Sequence, residues 1–537
     1  MAVNISEVLR ERASMTPDAV GLVEGYGDRR RLTWAELDAQ ADAVAGWLSA
    51  RGLVAGHRVG IVLSNRIEFV AAFLGAARRG LVVVPMNPRS TTGELVRMIA
   101  DSGSRVVFCE ASNVSIVREA AQSLAEVLAG ADEALRAGSV VPHLVVVGGG
   151  ERSGEVGYEV VAARDDGPET IAPVDDEALS TLLYTSGTSG QPRGVMLSHR
   201  AMLANVEQVA ALDPPVITPD DVVLGLLPLF HIYGLNGVLG TAVRQGVRVV
   251  LADRFDPTGT LDLVQAEGVT NIPLAPPVIA AWAGRDDLRE KLAGVRQVMC
   301  GASALDPELA ALFARSSGVV VEQGYGLTET APVLTVTLAG HGRRPDGNAK
   351  PGSVGSALAG IDIRIVDASG GDADPGDPGE IWVRGPNLFS GYWPDGSGGP
   401  DAAGWFATGD VGIVDADGDL SLVDRLRELV IVSGFNVYPH EVEDVIAELP
   451  SVAEAAVIGV PTAETGEAVQ AFVVAADASQ RPDELASTIR NHCEYRLARF
   501  KWPGHITVIS GLPHSATGKV AKGRLRAVAR RDTLGLD

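Results

Sequence analysis

Cysteine, lysine and aromatic side chains are all scarce in this chain of 537 residues, and each shortage excludes something. The three cysteines, Cys109, Cys300 and Cys493, lie far apart, which rules out a disulfide scaffold or a zinc ribbon and suits a reducing cytoplasm. Aromatics make up 5% of the chain, so Leu, Val and Ala must fill the core. No apolar run approaches the roughly 18 residues that a membrane span needs. The opening MAVNISEVLRERA lacks the basic-then-apolar pattern of a secretory signal. A cytoplasmic protein without a transmembrane segment is therefore expected. Positive charge is also short, at 45 basic against 68 acidic residues, a net charge of −23. Such a surface repels nucleic acid and anionic lipid. An anionic small-molecule substrate stays compatible with it, because exposed charges are screened beyond about 8 Å at physiological salt. Only five of the basic residues are lysines: Lys291, Lys350, Lys501, Lys519 and Lys522.

The remaining composition, 46% hydrophobic and 21% charged, is that of an ordinary globular chain long enough for several domains. Helix and strand patterns alternate from the start. LTWAELDAQADAVAGWLSARG has helical periodicity with a glycine stop, and RVGIVLS is a short β-rich run. FVAAFLGAARRG, LVVVPMN, ELVRMIADSG and RVVFCE continue the alternation. This order implies βαβ units and parallel sheets, hence an α/β fold class. VVLGLLPLFH, VRVVLAD and VRQVMCGAS read as further buried strands, and IDIRIVD, GEIWVRG and LSLVDR as a β-rich part. After Arg425 the pattern changes to a small α+β unit. The expected division is a large N-terminal domain, 1–425, and a small mobile C-terminal domain, 426–537, which carries Lys519.

Five segments offer chemistry. Tyr184 and Thr185 lead from an apolar strand into Ser186-Gly187-Thr188-Ser189-Gly190-Gln191-Pro192-Arg193-Gly194. Glycines let backbone N–H groups approach a phosphate, hydroxyls donate to it, and arginine adds charge and a fork of donors. The loop is not a Walker A motif, because no Gly-Lys-Ser/Thr stands at the required spacing. Gln323-Gly324-Tyr325-Gly326-Leu327-Thr328-Glu329 sets an aromatic face between glycines and follows it with a hard oxygen ligand suited to Mg²⁺. Alone, it is equally a turn before a capped helix. Thr408-Gly409-Asp410 offers a carboxylate to ribose hydroxyls. Asp424-Arg425-Leu426-Arg427-Glu428, followed by Gly434-Phe435, is on its own also readable as a solvated turn. Thr517-Gly518 projects Lys519, a mobile point charge suited to charge that develops on transfer, or else a solvated lysine near a terminus.

Together, in this order, the five segments resemble the adenylate-forming superfamily of acyl- and aryl-CoA synthetases, luciferases and peptide-synthetase adenylation domains. The resemblance runs over roughly residues 10–530. It implies the adenylate-forming fold and a reaction in which a carboxylate attacks the α-phosphate of MgATP. Acyl-AMP and pyrophosphate form, and a thiol then takes the acyl group. By resemblance, Thr185 to Gly194 hold the β- and γ-phosphates, and Thr185 and Glu329 are the metal positions. Gly301, Ala302 and Ser303, with Gln323, Gly324 and Tyr325, match the adenine wall, and Gly326 and Thr328 continue the nucleotide segment. Asp410 and Arg425 match the ribose contacts, and Lys519 the lysine that bridges carboxylate and α-phosphate. Arg427 is the implied hinge, and Gly434 and Phe435 border the implied thiol channel. Two positions depart from the common pattern, since Arg193 and Arg427 stand where lysine, or at the hinge lysine or aspartate, is usual.

The acid and the acceptor follow less directly. His231, in PLFHIYGL, stands where peptide-synthetase domains carry the aspartate that clamps an α-amino group, so an amino acid is disfavoured. His231 reads as the mouth of the acyl pocket, or as a satisfied core histidine. Small residues at Gly301, Gly324 and Gly326 suggest room for an alkyl chain, with each buried CH₂ contributing about 0.8 kcal/mol. The expected function is thus a fatty-acid–CoA ligase for a medium- or long-chain acid, using ATP, Mg²⁺ and coenzyme A. An aryl, 4-coumarate-like CoA ligase and an acyl-AMP ligase that loads an acyl or peptidyl carrier protein are the alternatives. A luciferase-like oxygenase or a non-catalytic nucleotide binder stands further off.

Overall fold

The computed structural model describes all residues except 1–3, 131–139, 165–166, 186–192, 304, 339–349, 351, 368, 375, 426–427, 429, 433–434, 463–465, 515–517 and 535–537. Its contacts divide the chain into two compact units, Met1–Asp362 with Arg384–Phe406, and Ile363–Val383 with Ala407–Asp537. The sequence boundary at 425/426 falls inside the second.

The first unit is built on two sheets. One runs Val156–Gly157, His143–Val147, Ser104–Glu110, Arg58–Val62, Val82–Pro85, Leu179–Thr185 and Arg193–Ser198, and all its neighbours are parallel except the last pair. Its central strands are unbroken apolar runs because helices cover both faces. Trp34–Ala50 starts on a capping box, with the Glu36 N–H donating to Thr33 Oγ1 and the Thr33 N–H donating to the Glu36 carboxylate. Ile67–Arg78 is buried on every side. Its Gly75 permits the close approach of Trp34–Ala50, since a β-carbon there would lie 2.7 Å from the Ala41 carbonyl oxygen. At its end the fully buried Arg78 donates to Asp38 Oδ1 (2.6 Å) and to Asp42, both on the neighbouring helix.

The second sheet of this unit runs Arg31–Thr33, Val20–Glu24, Arg248–Leu251, Val222–Gly225, Asn271–Leu274, Gln297–Cys300, Val321–Gly326, Val333–Val336 and Ser353–Ala357. From Val20–Glu24 to Val321–Gly326 the neighbours are parallel. The expected strand VVLGLLPLFH is shorter than its apolar run implies. Only Val222–Gly225 pairs, and Tyr233–Gly240 winds into a π-helix. Pro228 has no N–H for a ladder, and Asn65 claims the carbonyls of Gly225 and Leu227 (both 2.9 Å) and the N–H of Leu229 (2.9 Å).

The second unit holds the strands Asp362–Val366, Gly379–Arg384, Phe406–Val414 and Leu420–Arg425 in sequence order. It also holds a sheet in which Val430–Val432, Phe435–Val437, Val452–Thr462 and Gly466–Ala475 are joined by the parallel strand His505–Ile509. Pro439–Ala447 and Pro482–Arg496 pack on that sheet through Val442, Ile446, Leu485, Ile489 and Cys493. Among the described residues no helix is long and apolar enough to cross a membrane.

His199, in the first unit, opens the helix His199–Ala210 and is fully buried. Its Nδ1 accepts from the Ile5 N–H (3.2 Å), which places the ring proton on Nε2, an atom with no partner among the described residues. Burial pushes its pKa down to about 4 from an ordinary 6.5. Folding therefore favours the neutral ring. The associated stability is complete above pH 6.5 and is lost as pH falls through 4, a loss on the order of 3 kcal/mol. His199→Gln, whose amide oxygen still accepts from Ile5, is expected to flatten melting temperature against pH over that interval.

Candidate active site

The strands Leu179–Thr185 and Arg193–Ser198 form an antiparallel hairpin, with Thr185 opposite Arg193 and Tyr184 opposite Gly194. Ser186, Gly187, Thr188, Ser189 and Gly190, at its tip, lie outside the described residues. The stem is fixed by Tyr184, whose hydroxyl donates to Asp101 Oδ2 (2.5 Å), and by Gly194, whose missing side chain lets Leu182 and Trp393 close on it. Arg193 is exposed, and its guanidinium carbon lies 3.7 Å above the centre of the Tyr392 ring.

Glu329 sits on a tight turn between the strands Val321–Gly326 and Val333–Val336. The turn needs glycine at 326, where a β-carbon would lie 1.8 Å from the Pro332 carbonyl oxygen. That oxygen accepts from the Leu327 N–H (3.1 Å) and the Thr330 hydroxyl (2.5 Å). Three asparagines from three other segments hold the turn. Asn236 donates to the Ala331 carbonyl (2.7 Å) and the Met202 carbonyl (2.9 Å). Asn387 donates to the Thr330 carbonyl (2.7 Å). Asn205 exchanges two bonds with the backbone of Val333 (2.7 and 3.0 Å). Sequence reading passed over all three, and also over Tyr392, whose hydroxyl donates to Glu329 Oε1 (2.8 Å). Asn205 and Asn236 are single polar residues in apolar helices, a signal that does not name its partner. Thr328, beside Glu329, is half-buried.

Gln297–Cys300 and Val321–Gly326 are adjacent parallel strands with Cys300 opposite Gln323, so Gly301–Ser303 and Gln323–Tyr325 lie side by side at their carboxyl ends. This edge is where open α/β sheets bind ligands. Ala302 holds a left-handed φ of +73°, a conformation that costs an ordinary residue about 1–3 kcal/mol. The Tyr325 ring is buried at 8% exposure, not the open face the sequence suggested. The small residues leave less room than expected. A β-carbon at Gly301 would lie 2.9 Å from Tyr233 Cε1, one at Gly237 3.0 Å from Tyr233 Cδ2, and one at Gly324 3.1 Å from the Thr335 carbonyl oxygen. Tyr233 therefore fills the space beside Gly301, and burial holds its hydroxyl well above the ordinary tyrosine range. His231, half-buried, precedes it, with its ring 4.9 Å from that of Phe230. The first unit thus brings Thr185, Arg193 and Glu329 into one region through Tyr392, and the Gly301 segment against the turn that carries His231.

In the second unit Asp410 is buried and stands opposite Arg425 in the ladder of Phe406–Val414 with Leu420–Arg425. Gly409 takes a left-handed φ of +75°, and the Asp410 N–H donates to Thr408 Oγ1 (3.1 Å). Arg427 and Gly434 lie outside the described residues, as do the side chains of Arg425 and Phe435. Lys519 is half-buried and follows Gly518, whose φ is +80°. Three residues on, Lys522 is paired with Glu428 (3.0 Å) and Glu443 (2.8 Å). Lys501 donates to both oxygens of Glu441 (2.5 and 2.6 Å).

Residues 9–393 match the AMP-binding enzyme family and residues 441–519 the AMP-binding enzyme C-terminal domain. The chain belongs to the AMP-binding enzyme family. It is 35% identical to 4-coumarate–CoA ligase 5 of Oryza sativa subsp. japonica, over 96% of this chain and 92% of that protein. It is 34% identical to a feruloyl-CoA synthase of Amycolatopsis sp, over 96% and 97%. ATP-bound MatB from Rhodopseudomonas palustris superposes with a TM-score of 0.85 at 30% identity, covering 99% of each chain. The adenylate-forming fold, with a large N-terminal and a small C-terminal domain, is thereby shown, and the activity is that of an adenylate-forming acid–thiol ligase.

The asparagine clamp has a measurable weight. Asn236→Leu strips donors from two buried carbonyls and is expected to cost about 2–4 kcal/mol of stability, read by denaturant unfolding. Pyrophosphate–ATP exchange is expected to fall further than the loss of folded protein explains.

Proposed function

We propose that this chain is an aryl-acid–CoA ligase of the hydroxycinnamate class. It activates the acid with ATP as acyl-AMP, releases pyrophosphate, and transfers the acyl group to coenzyme A with release of AMP. The observation that carries the acid class is Tyr233 seated against Gly301. The small residues read as room for an alkyl chain are in contact with a ring and with backbone, which suits a flat acid better than a long flexible one. The names of the two relatives, for 4-coumarate and ferulate, support the same reading. The fatty-acid expectation gives way to its aryl alternative. Both names also specify CoA, and nothing found favours a carrier protein as acceptor.

Glu329 and Thr185 present a carboxylate and a hydroxyl, hard oxygen donors that fit Mg²⁺. Mg²⁺, when bound with the nucleotide, neutralises phosphate charge. Arg193 adds a fixed cation at the hairpin mouth, and the hairpin loop, with Ser186 to Gly190, cradles the β- and γ-phosphates. Asp410 and Arg425 hold the ribose. Gly301–Ser303 and Gln323–Tyr325 form the adenine wall. Lys519 offsets the negative charge that develops as the carboxylate reaches the α-phosphate. A domain division at 425/426, with Arg427 as the hinge and Gly434 and Phe435 beside the thiol channel, lets Lys519 enter for the first half-reaction and leave for the second. The three buried free cysteines suit a cytoplasmic setting.

The test is pyrophosphate release with MgATP across 4-coumarate, ferulate, benzoate and alkanoates from acetate to palmitate, each with and without CoA. CoA-dependent turnover with a hydroxycinnamate at the highest kcat/KM is expected, and a preference for palmitate would overturn the acid assignment. Lys519→Ala is expected to slow adenylation by about 10²–10³-fold while the protein keeps its melting temperature. Arg427→Pro is expected to impair thioester formation from preformed acyl-AMP more than adenylation, and equal losses would argue against the hinge.

A further inference from the structure

The segment 389–393 belongs to none of the five motifs, yet it touches two of them. On one edge it runs along the phosphate hairpin. The Ser390 N–H donates to the Met196 carbonyl (2.9 Å), the Met196 N–H to the Gly391 carbonyl (3.1 Å) and the Trp393 N–H to the Gly194 carbonyl (2.8 Å). On the other edge it meets the Glu329 turn, where the Phe389 N–H donates to the Glu329 carbonyl (2.9 Å). Gly391, at φ +108°, allows the tight return, since a β-carbon there would lie 2.0 Å from the Gly396 carbonyl oxygen. Tyr392 lies between the two edges. Its hydroxyl donates to Glu329 Oε1, its ring carries the Arg193 guanidinium, and Phe389 braces that ring edge-on at 5.1 Å.

We propose that Tyr392 is a positioning residue for adenylation, coupling the Arg193 side of the phosphate hairpin to the Glu329 carboxylate. The proposal rests on the nucleotide roles given above to Glu329 and Arg193. A hydroxyl bonded to one carboxylate oxygen fixes the rotamer and directs the other oxygen to a cation. A guanidinium stacked on a ring keeps its charge and its outward N–H donors while losing rotational freedom. One side chain thus sets the separation between the negative group that takes the metal and the positive group that takes a phosphate. Preorganisation of this kind acts on the charged transition state more than on the fold.

Calorimetric titration of ATP into the full chain, without any acid, at a series of free Mg²⁺ concentrations reads this coupling independently of which acid is used. Tyr392→Phe keeps the ring under Arg193 and removes the donor. The Mg²⁺ concentration for half-maximal ATP affinity is expected to rise about 3–10-fold, with a melting temperature near that of the parent. Tyr392→Leu is expected to weaken ATP binding further at saturating Mg²⁺, because Arg193 is also released. In a Glu329→Gln background, Tyr392→Phe is expected to add nothing to the Mg²⁺ shift. An unchanged Mg²⁺ curve for Tyr392→Phe, beside a shifted curve for Glu329→Gln, would sink the proposal and leave the ligase reading intact. A drop in melting temperature with equal weakening at every Mg²⁺ concentration would assign Tyr392 a structural role only. Failure of the parent chain to bind ATP at all would bring down the ligase reading itself.

Discussion

The Pro332 carbonyl oxygen occupies the space that a side chain at position 326 would need, and the turn that carries Glu329 depends on that contact. With glycine there, the turn closes on itself through Leu327 and Thr330 and leaves Glu329 half-buried. Nothing in the turn's own sequence fixes its direction. Direction comes from Asn205, Asn236 and Asn387, which arrive from the helix His199–Ala210, the π-helix Tyr233–Gly240 and the segment before residue 389. An amide side chain suits this task, because it offers donor and acceptor to a backbone that has left its ladder. The bonds from Asn236 and Asn387 are buried, so a missing partner there leaves a buried group unpaired.

The second unit solves a similar problem with charge. Lys522 is 11% exposed, and burial acts to lower its pKa, but Glu443 and Glu428 outweigh that and hold it above the ordinary lysine value. Glu443 also accepts from the Val457 N–H (2.6 Å), so one ammonium ties the helix Pro439–Ala447, the strand Val452–Thr462 and Glu428 to the start of Lys522–Leu534. Buried pairs of this kind add little net stability but penalise misplacement of either partner. The catalytic candidate Lys519 stands three residues before this anchor.

Much of the fold was legible in the sequence because its signals were local. Helical periodicity ending on Gly52 marked one helix, ELVRMIADSG ending on Gly103 another, and apolar runs such as LVVVPMN marked buried strands. The run VVLGLLPLFH misled because hydropathy alone cannot distinguish a buried strand from a buried turn, and the deciding partner, Asn65, lies more than 150 residues away. The site divided along the same line. Glycine, hydroxyl and charge motifs single out Thr185, Arg193, Glu329, Asp410 and Lys519 as candidates. The groups that aim them are single polar residues in apolar surroundings, whose meaning depends on the element they meet. Room for the acid is hard to read from the sequence for a related reason. Glycine in a sequence signals a missing side chain, and only the packed structure tells whether a ligand, a carbonyl or a ring takes the place.

Tyr233 against Gly301 has a consequence for how substrate range changes by descent. Residues 301, 324 and 326 are already the smallest there are, so no mutation at those three positions can add room. The opposite side is adjustable, because Tyr233 ends in a ring that touches Gly301 and Gly237 through side-chain atoms alone. Trimming that ring opens volume without moving a backbone, whereas any added atom on the strand side must push the ring away. In the acid pocket proposed above, variation at these positions is one-directional: residue 233 can give room, and the three glycines have none to give.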